Sequence, residues 1–198
     1  MGVKEQRERK PRADVQRNRA ALLEAAQRHF LRDGVGASLE GVAKEAGVGP
    51  ATLYRHFPTR EALLAAVLQT RSEELVARRA EIARLGDASE RLRQWLRAME
   101  EYFSAFSGLP EPLMTAAKER EPDNPLTLPC DDLIATTEEY LRAAQAAGHT
   151  RPAVTGYDLY LAAVSTAWIS GTGATDEESL DRLRTLIESG YREQNDNE

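Results

Sequence analysis

The chain has 198 residues, 41% apolar and 29% charged, which suits a soluble globular protein of one large or two small domains. No apolar run approaches the roughly 18 residues that span a bilayer. The single cysteine, Cys130, excludes an intrachain disulfide, and the scattered His29, His56 and His149 form no metal-ligand spacing.

Charge is unevenly spread. Residues 1–60 carry 12 Lys and Arg against 7 Asp and Glu, a balance of +5, while the remainder carries 14 against 25, a balance of −11. A basic end on an acidic body is the asymmetry of a protein that meets a polyanion at one end. The charged start MGVKEQRERKPRADVQRNR has no apolar stretch and is not a secretory signal, so a cytoplasmic location is expected. Residues 1–13 read as a disordered basic arm. Its Lys4, Arg7, Arg9, Lys10 and Arg12 would serve either phosphates and a minor groove or solubility alone.

Sustained two-residue alternation is absent, and helical spacing recurs, so the expected fold is all-α. Leu22, Ala25, Ala26, His29 and Phe30 share one helical face, and Asp33-Gly34 stops that helix. Ser38 caps a helix from Leu39 to about Ala46, with Val42 and Ala43 inward and Gly47 at its end. Pro50 opens the next helix, where its missing N–H costs nothing; Leu53 and Phe57 point inward, and the helix ends near Pro58. Thr59 then caps a longer helix beginning Arg60-Glu61-Ala62-Leu63-Leu64. Beyond Leu85-Gly86-Asp87, glycine and proline breaks separate helices at about 88–106, 110–120, 127–147, 154–171 and 176–194.

Two short helices joined by Gly47-Val48-Gly49 make a helix-turn-helix arrangement. The stretch GVGPATLYRHFPTREALL, residues 47–64, leaves Pro50, Ala51, Thr52, Tyr54, Arg55 and His56 on or beside the outer face of the second helix. In a DNA-binding unit of this kind, that helix enters the major groove.

Residues 14–64 resemble the DNA-binding domain of TetR-family transcriptional regulators. The resemblance is carried by Ala25-Ala26, Phe30 and Gly34, by Val42-Ala43-Lys44-Glu45-Ala46-Gly47-Val48, by Thr52-Leu53-Tyr54-Arg55-His56-Phe57, and by Arg60-Glu61-Ala62-Leu63-Leu64. It implies that Tyr54, Thr52, His56, Lys44 and Arg60 contact DNA phosphates, with Pro50, Ala51 and Arg55 at base edges. Arg55 alone can make a bidentate contact to guanine. Leu39-Glu40-Gly41 departs from the pattern, because many relatives place Thr or basic residues there; Glu40 either accepts from cytosine or avoids the DNA.

The resemblance also implies that residues 65–198 form a helical domain for effector binding and dimerisation. Trp95, Met99, Tyr102, Phe103, Phe106, Met114, Tyr140 and Trp168 are candidate pocket residues, though for any single one core comes ahead of pocket, since Trp95, Met99, Tyr102 and Phe106 share a helical face. The stripes Leu159, Ala162, Ala163, Ala167 and Leu180, Leu183, Ile187, Tyr191 would either complete the monomer core or pair the 154–171 and 176–194 helices across a two-fold axis. The expected partners are a palindromic double-stranded DNA operator, a second copy of the chain and a small-molecule effector, without a cofactor, an enzymatic activity or a membrane. A constitutive DNA-binding regulator without a ligand and a helical protein–protein adaptor stay open as alternatives.

Overall fold

The computed structural model describes the backbone of residues 3–193 and the side chains of residues 14–193. Among the described residues lie nine helices and no strand beyond an isolated bridge between Thr150 and Arg192. The chain divides into two compact units between Thr70 and Arg71, slightly later than the expected boundary after residue 64.

The first unit holds α1 (Val3–Asp33), α2 (Leu39–Glu45), α3 (Pro50–His56) and the start of α4 (Arg60–Ile82). The α1 backbone begins at Val3, so the stretch expected as a disordered arm continues the first helix. Its Lys, Arg, Glu and Gln residues are good helix formers. Side chains of residues 1–13, the basic groups of that arm included, lie outside the described residues.

Leu22, Ala25, Ala26 and Phe30 of α1 are buried, as are Val42, Ala43, Leu53, Phe57, Leu63 and Leu64. The capping expected at Ser38 is present, its Oγ accepting from Gly41 N at 3.2 Å. Gly47 adopts φ +70°, a conformation with little cost only for glycine. The Gly47 and Val48 amides then donate to the Lys44 and Ala43 carbonyls at 3.1 and 3.0 Å, closing α2.

A polar latch adds to this apolar core. Buried His29 places Nε2 2.9 Å from Glu45 Oε2, and Arg28 Nε donates to Glu45 Oε1 at 2.6 Å. The Arg28 guanidinium holds the Glu45 carboxyl below its ordinary range, so the acid stays charged at neutral pH. The imidazole leaves no spare room under α2, since a Cβ at Gly41 would lie 3.1 Å from His29 Cε1.

The second unit holds the rest of α4 with α5 (Ala88–Phe103), α6 (Pro110–Glu119), α7 (Thr127–Ala146), α8 (Gly156–Gly171) and α9 (Glu177–Tyr191). α5, α7 and α8 pack against one another and bury Leu92, Trp95, Met99, Leu141, Tyr160 and Val164. A reciprocal capping box starts α8: Thr155 Oγ1 accepts from Asp158 N at 3.2 Å, and Asp158 Oδ2 accepts from Thr155 N at 2.9 Å. Arg184 fastens α9 to α5 through Glu100 at 2.6 Å while also holding Glu177 and Asp181. Leu159, Ala163, Ala167, Leu180 and Tyr191 are buried within the unit, so much of the two expected stripes belongs to the monomer core. Trp168 and Leu186 face outward instead, 52% and 69% exposed.

Gly→Ala inside a helix ordinarily stabilises by about 1 kcal/mol. At Gly41 the expectation is that Gly41→Ala loses this gain against His29 and recovers at least about 0.5 kcal/mol of it in a His29→Ala background. Urea unfolding of the four proteins in this cycle checks the coupling; additive effects would contradict it.

Candidate nucleic-acid interface

α3 has only seven residues, too few to hold a helix by propensity. Leu53 and Phe57 anchor it by burial, and the Arg19 guanidinium covers the Phe57 ring at 5.3 Å from its centroid. With those residues inward, Pro50, Ala51, Tyr54 and Arg55 form a continuous exposed stripe. Tyr54 is 49% exposed. Thr52 and His56 sit half-buried at the stripe's edges, and Lys44 and Glu40 are exposed on α2. Seven of the eight expected DNA-contact residues therefore lie on or beside the outer surface of the two short helices.

Arg55 lies back along its own helix. Its Nε donates to the Ala51 carbonyl at 3.2 Å and Nη2 to Thr52 Oγ1 at 3.0 Å. A base contact therefore requires exchange of two existing hydrogen bonds. Arg60, the eighth residue, has an architectural role that its sequence position did not disclose. Its Nη1 donates at 2.7 Å to both the Val35 and the Ala37 carbonyls, fixing the loop between α1 and α2.

The eight candidate effector residues differ in burial. Trp95, Met99, Phe103 and Phe106 are buried, with Trp95 Nε1 donating to Thr137 Oγ1 at 2.9 Å and Phe103 edge-on to Tyr160 at 5.5 Å. Tyr102, Met114 and Tyr140 are half-buried, and Trp168 points outward. Burial pushes the Cys130 thiol up to about 11, so it stays protonated and a poor nucleophile near neutral pH. A cleft of about 320 Å³ opens elsewhere, between α5, α8 and α9, and none of the eight lines it. Its α5 wall is Arg93, Leu96, Arg97 and Glu100, at i, i+3, i+4 and i+7. That mixed charged and apolar stripe is a helix-face signal, but it gives no sign of the space beside it.

No group of His, Cys, Asp and Glu able to hold a metal ion occurs among the described residues, and no helix there is long and apolar enough to cross a membrane.

Residues 22–67 match the family model for bacterial regulatory proteins of the tetR family, and residues 87–193 match the SbtR-like transcriptional regulator C-terminal domain. The HTH-type transcriptional regulator UidR of Escherichia coli is 35% identical over 66 residues, which span 33% of this chain and 34% of UidR. A TetR transcriptional regulator of Streptomyces coelicolor is 32% identical, with a TM-score of 0.53 over 88% of this chain and 98% of that one. The transcriptional regulator FadR of Bacillus subtilis, solved in complex with stearoyl-CoA, shares the fold at 16% identity, with a TM-score of 0.58 over 86% of this chain and 98% of that one.

Removing the Arg60 guanidinium deprives the Val35 and Ala37 carbonyls of a charged donor. Arg60→Ala is expected to lower unfolding free energy by about 2 kcal/mol, measured by urea titration. Wild-type stability in this variant would contradict the architectural role.

Proposed function

The chain belongs to the TetR family of bacterial regulatory proteins, and from that premise we propose that it is a homodimeric DNA-binding transcriptional regulator, a repressor that a small-molecule effector releases from a palindromic operator. The observation that carries the DNA-binding reading is the exposed stripe of α3, where Tyr54 and Arg55 flank small apolar Pro50 and Ala51 on a helix held from behind.

In this reading the Tyr54 hydroxyl, Thr52, His56 and Lys44 grip phosphates, which position the helix without reading sequence. Any Arg60 contact to phosphate uses the nitrogens other than Nη1. Arg55 exchanges the Ala51 carbonyl and the Thr52 hydroxyl for guanine O6 and N7, while Pro50 and Ala51 offer only apolar contact, as to a thymine methyl. One base-reading side chain per subunit is little, and a two-fold dimer compensates by reading two half-sites together. Trp168 and Leu186, exposed on α8 and α9, supply the partner surface.

Effector release requires a ligand that binds the two states with different affinity. Support for a ligand comes from the cleft in the second unit and from FadR, which holds stearoyl-CoA on the same fold. α4 begins in the first unit and ends in the second, so its displacement is the proposed route to the reading helix. The packed interior around Trp95 favours a second reading, a constitutive regulator without an effector.

Fluorescence anisotropy with a panel of single-base operator variants tests the DNA reading. Tyr54→Phe is expected to weaken every sequence by a similar factor. Arg55→Ala is expected to abolish about 1–3 kcal/mol of discrimination at one position per half-site. An Arg55→Ala protein with unaltered base preference would refute the assignment. For the dimer, Trp168→Glu with Leu186→Glu is expected to give monomers in sedimentation velocity and a large loss of operator affinity; an undisturbed dimer would place the interface elsewhere.

A further inference from the structure

We infer that the cleft between α5, α8 and α9 is a binding site for a small amphipathic monocarboxylate, with its apolar body on the α8 floor and its carboxylate on Arg97. Leu96, Leu159, Ala162, Ala163 and Ile187 give the cleft its apolar surface. The two alanines leave volume that larger side chains would fill. At about 320 Å³ the space is at the small end of ligand cavities, enough for a compact molecule.

Charge selects the ligand's head group. The lining carboxylates already have partners: Glu100 and Asp181 are held by Arg184 at 2.6 and 2.7 Å, and Glu188 is held by Arg192 at 2.8 Å. Arg93 is paired with Glu90. Among the described residues, Arg97 is the lining cation without an acidic partner, and it is exposed. The cleft is also polarised. Arg184 gathers Glu100, Glu177 and Asp181, so that corner holds more acid than base. On the same wall, Arg97 lies one turn and Arg93 two turns before Glu100 on α5. An anion is drawn to Arg97, whereas a second carboxylate finds only cations already paired with acids and meets the carboxylates of the Arg184 corner. These features favour a monoacid over a diacid.

The site is separate from the proposed partner surface. By helical spacing, Leu159, Ala163 and Thr166 occupy the face of α8 opposite Trp168. The inference rests on the effector reading only for its regulatory consequence; the binding itself stands alone.

Octanoate is the probe, titrated calorimetrically into the full chain, with octan-1-ol and octanedioate as controls. Octanoate is expected to bind more tightly than either control. Arg97→Gln, a surface change, is expected to weaken octanoate about tenfold or more without altering octan-1-ol binding. Ala162→Leu, which fills the floor, is expected to remove both. Octanoate binding that is absent at millimolar concentration, or equal in wild type and Arg97→Gln, would overturn the site. Binding that follows these expectations while operator affinity stays constant would uphold the site and refute release by this ligand.

Discussion

The burial of Leu53 and Phe57 is the constraint on which the interface depends. α3 is too short to persist alone, so its orientation comes from these two anchors and from the glycine turn that delivers them. Once they are inward, helical geometry forces Pro50, Ala51, Tyr54 and Arg55 outward together. Side chains behind them are committed to support. Arg19 covers Phe57, Arg60 closes the preceding loop, and the His29–Glu45 latch holds α2 against α1. A base-contacting helix needs this rigidity, because hydrogen bonds to base edges tolerate little displacement.

The same constraint limits what α3 can read. A stripe of two small apolar residues, a tyrosine and one arginine has more capacity to hold a phosphate backbone than to discriminate bases. Arg55 begins from a satisfied state, bonded to Ala51 and Thr52, so in the proposed reading its contribution is the difference between those bonds and the ones to guanine. The proposed dimer, together with DNA shape, supplies the remaining selectivity.

Local chemistry made much of the fold legible in the sequence. Ser38, Gly47 and Pro50 act within a few residues of themselves, and the short helices begin where those signals place them. The exposed stripe followed from periodicity alone. Features that depend on distant partners were not legible: Arg60 meets carbonyls 25 and 23 positions away, and Arg184 reaches Glu100 across 84. The aromatic run on α5 showed which residues share a face but not that this face is closely packed. Nor did it show the cleft beside Leu96 and Arg97, where small residues on α8 leave space. Likewise the apolar pattern of α8 and α9 did not distinguish residues buried in the unit from Trp168 and Leu186, which face outward.

Selection of bound duplexes from a random DNA pool tests the central claim most directly, that a sparsely reading helix acts through a two-fold dimer. The account predicts a palindromic site with few fixed positions per half-site, a guanine among them, and loose preference elsewhere. An asymmetric site, or a long run of strictly fixed bases within one half-site, would contradict it.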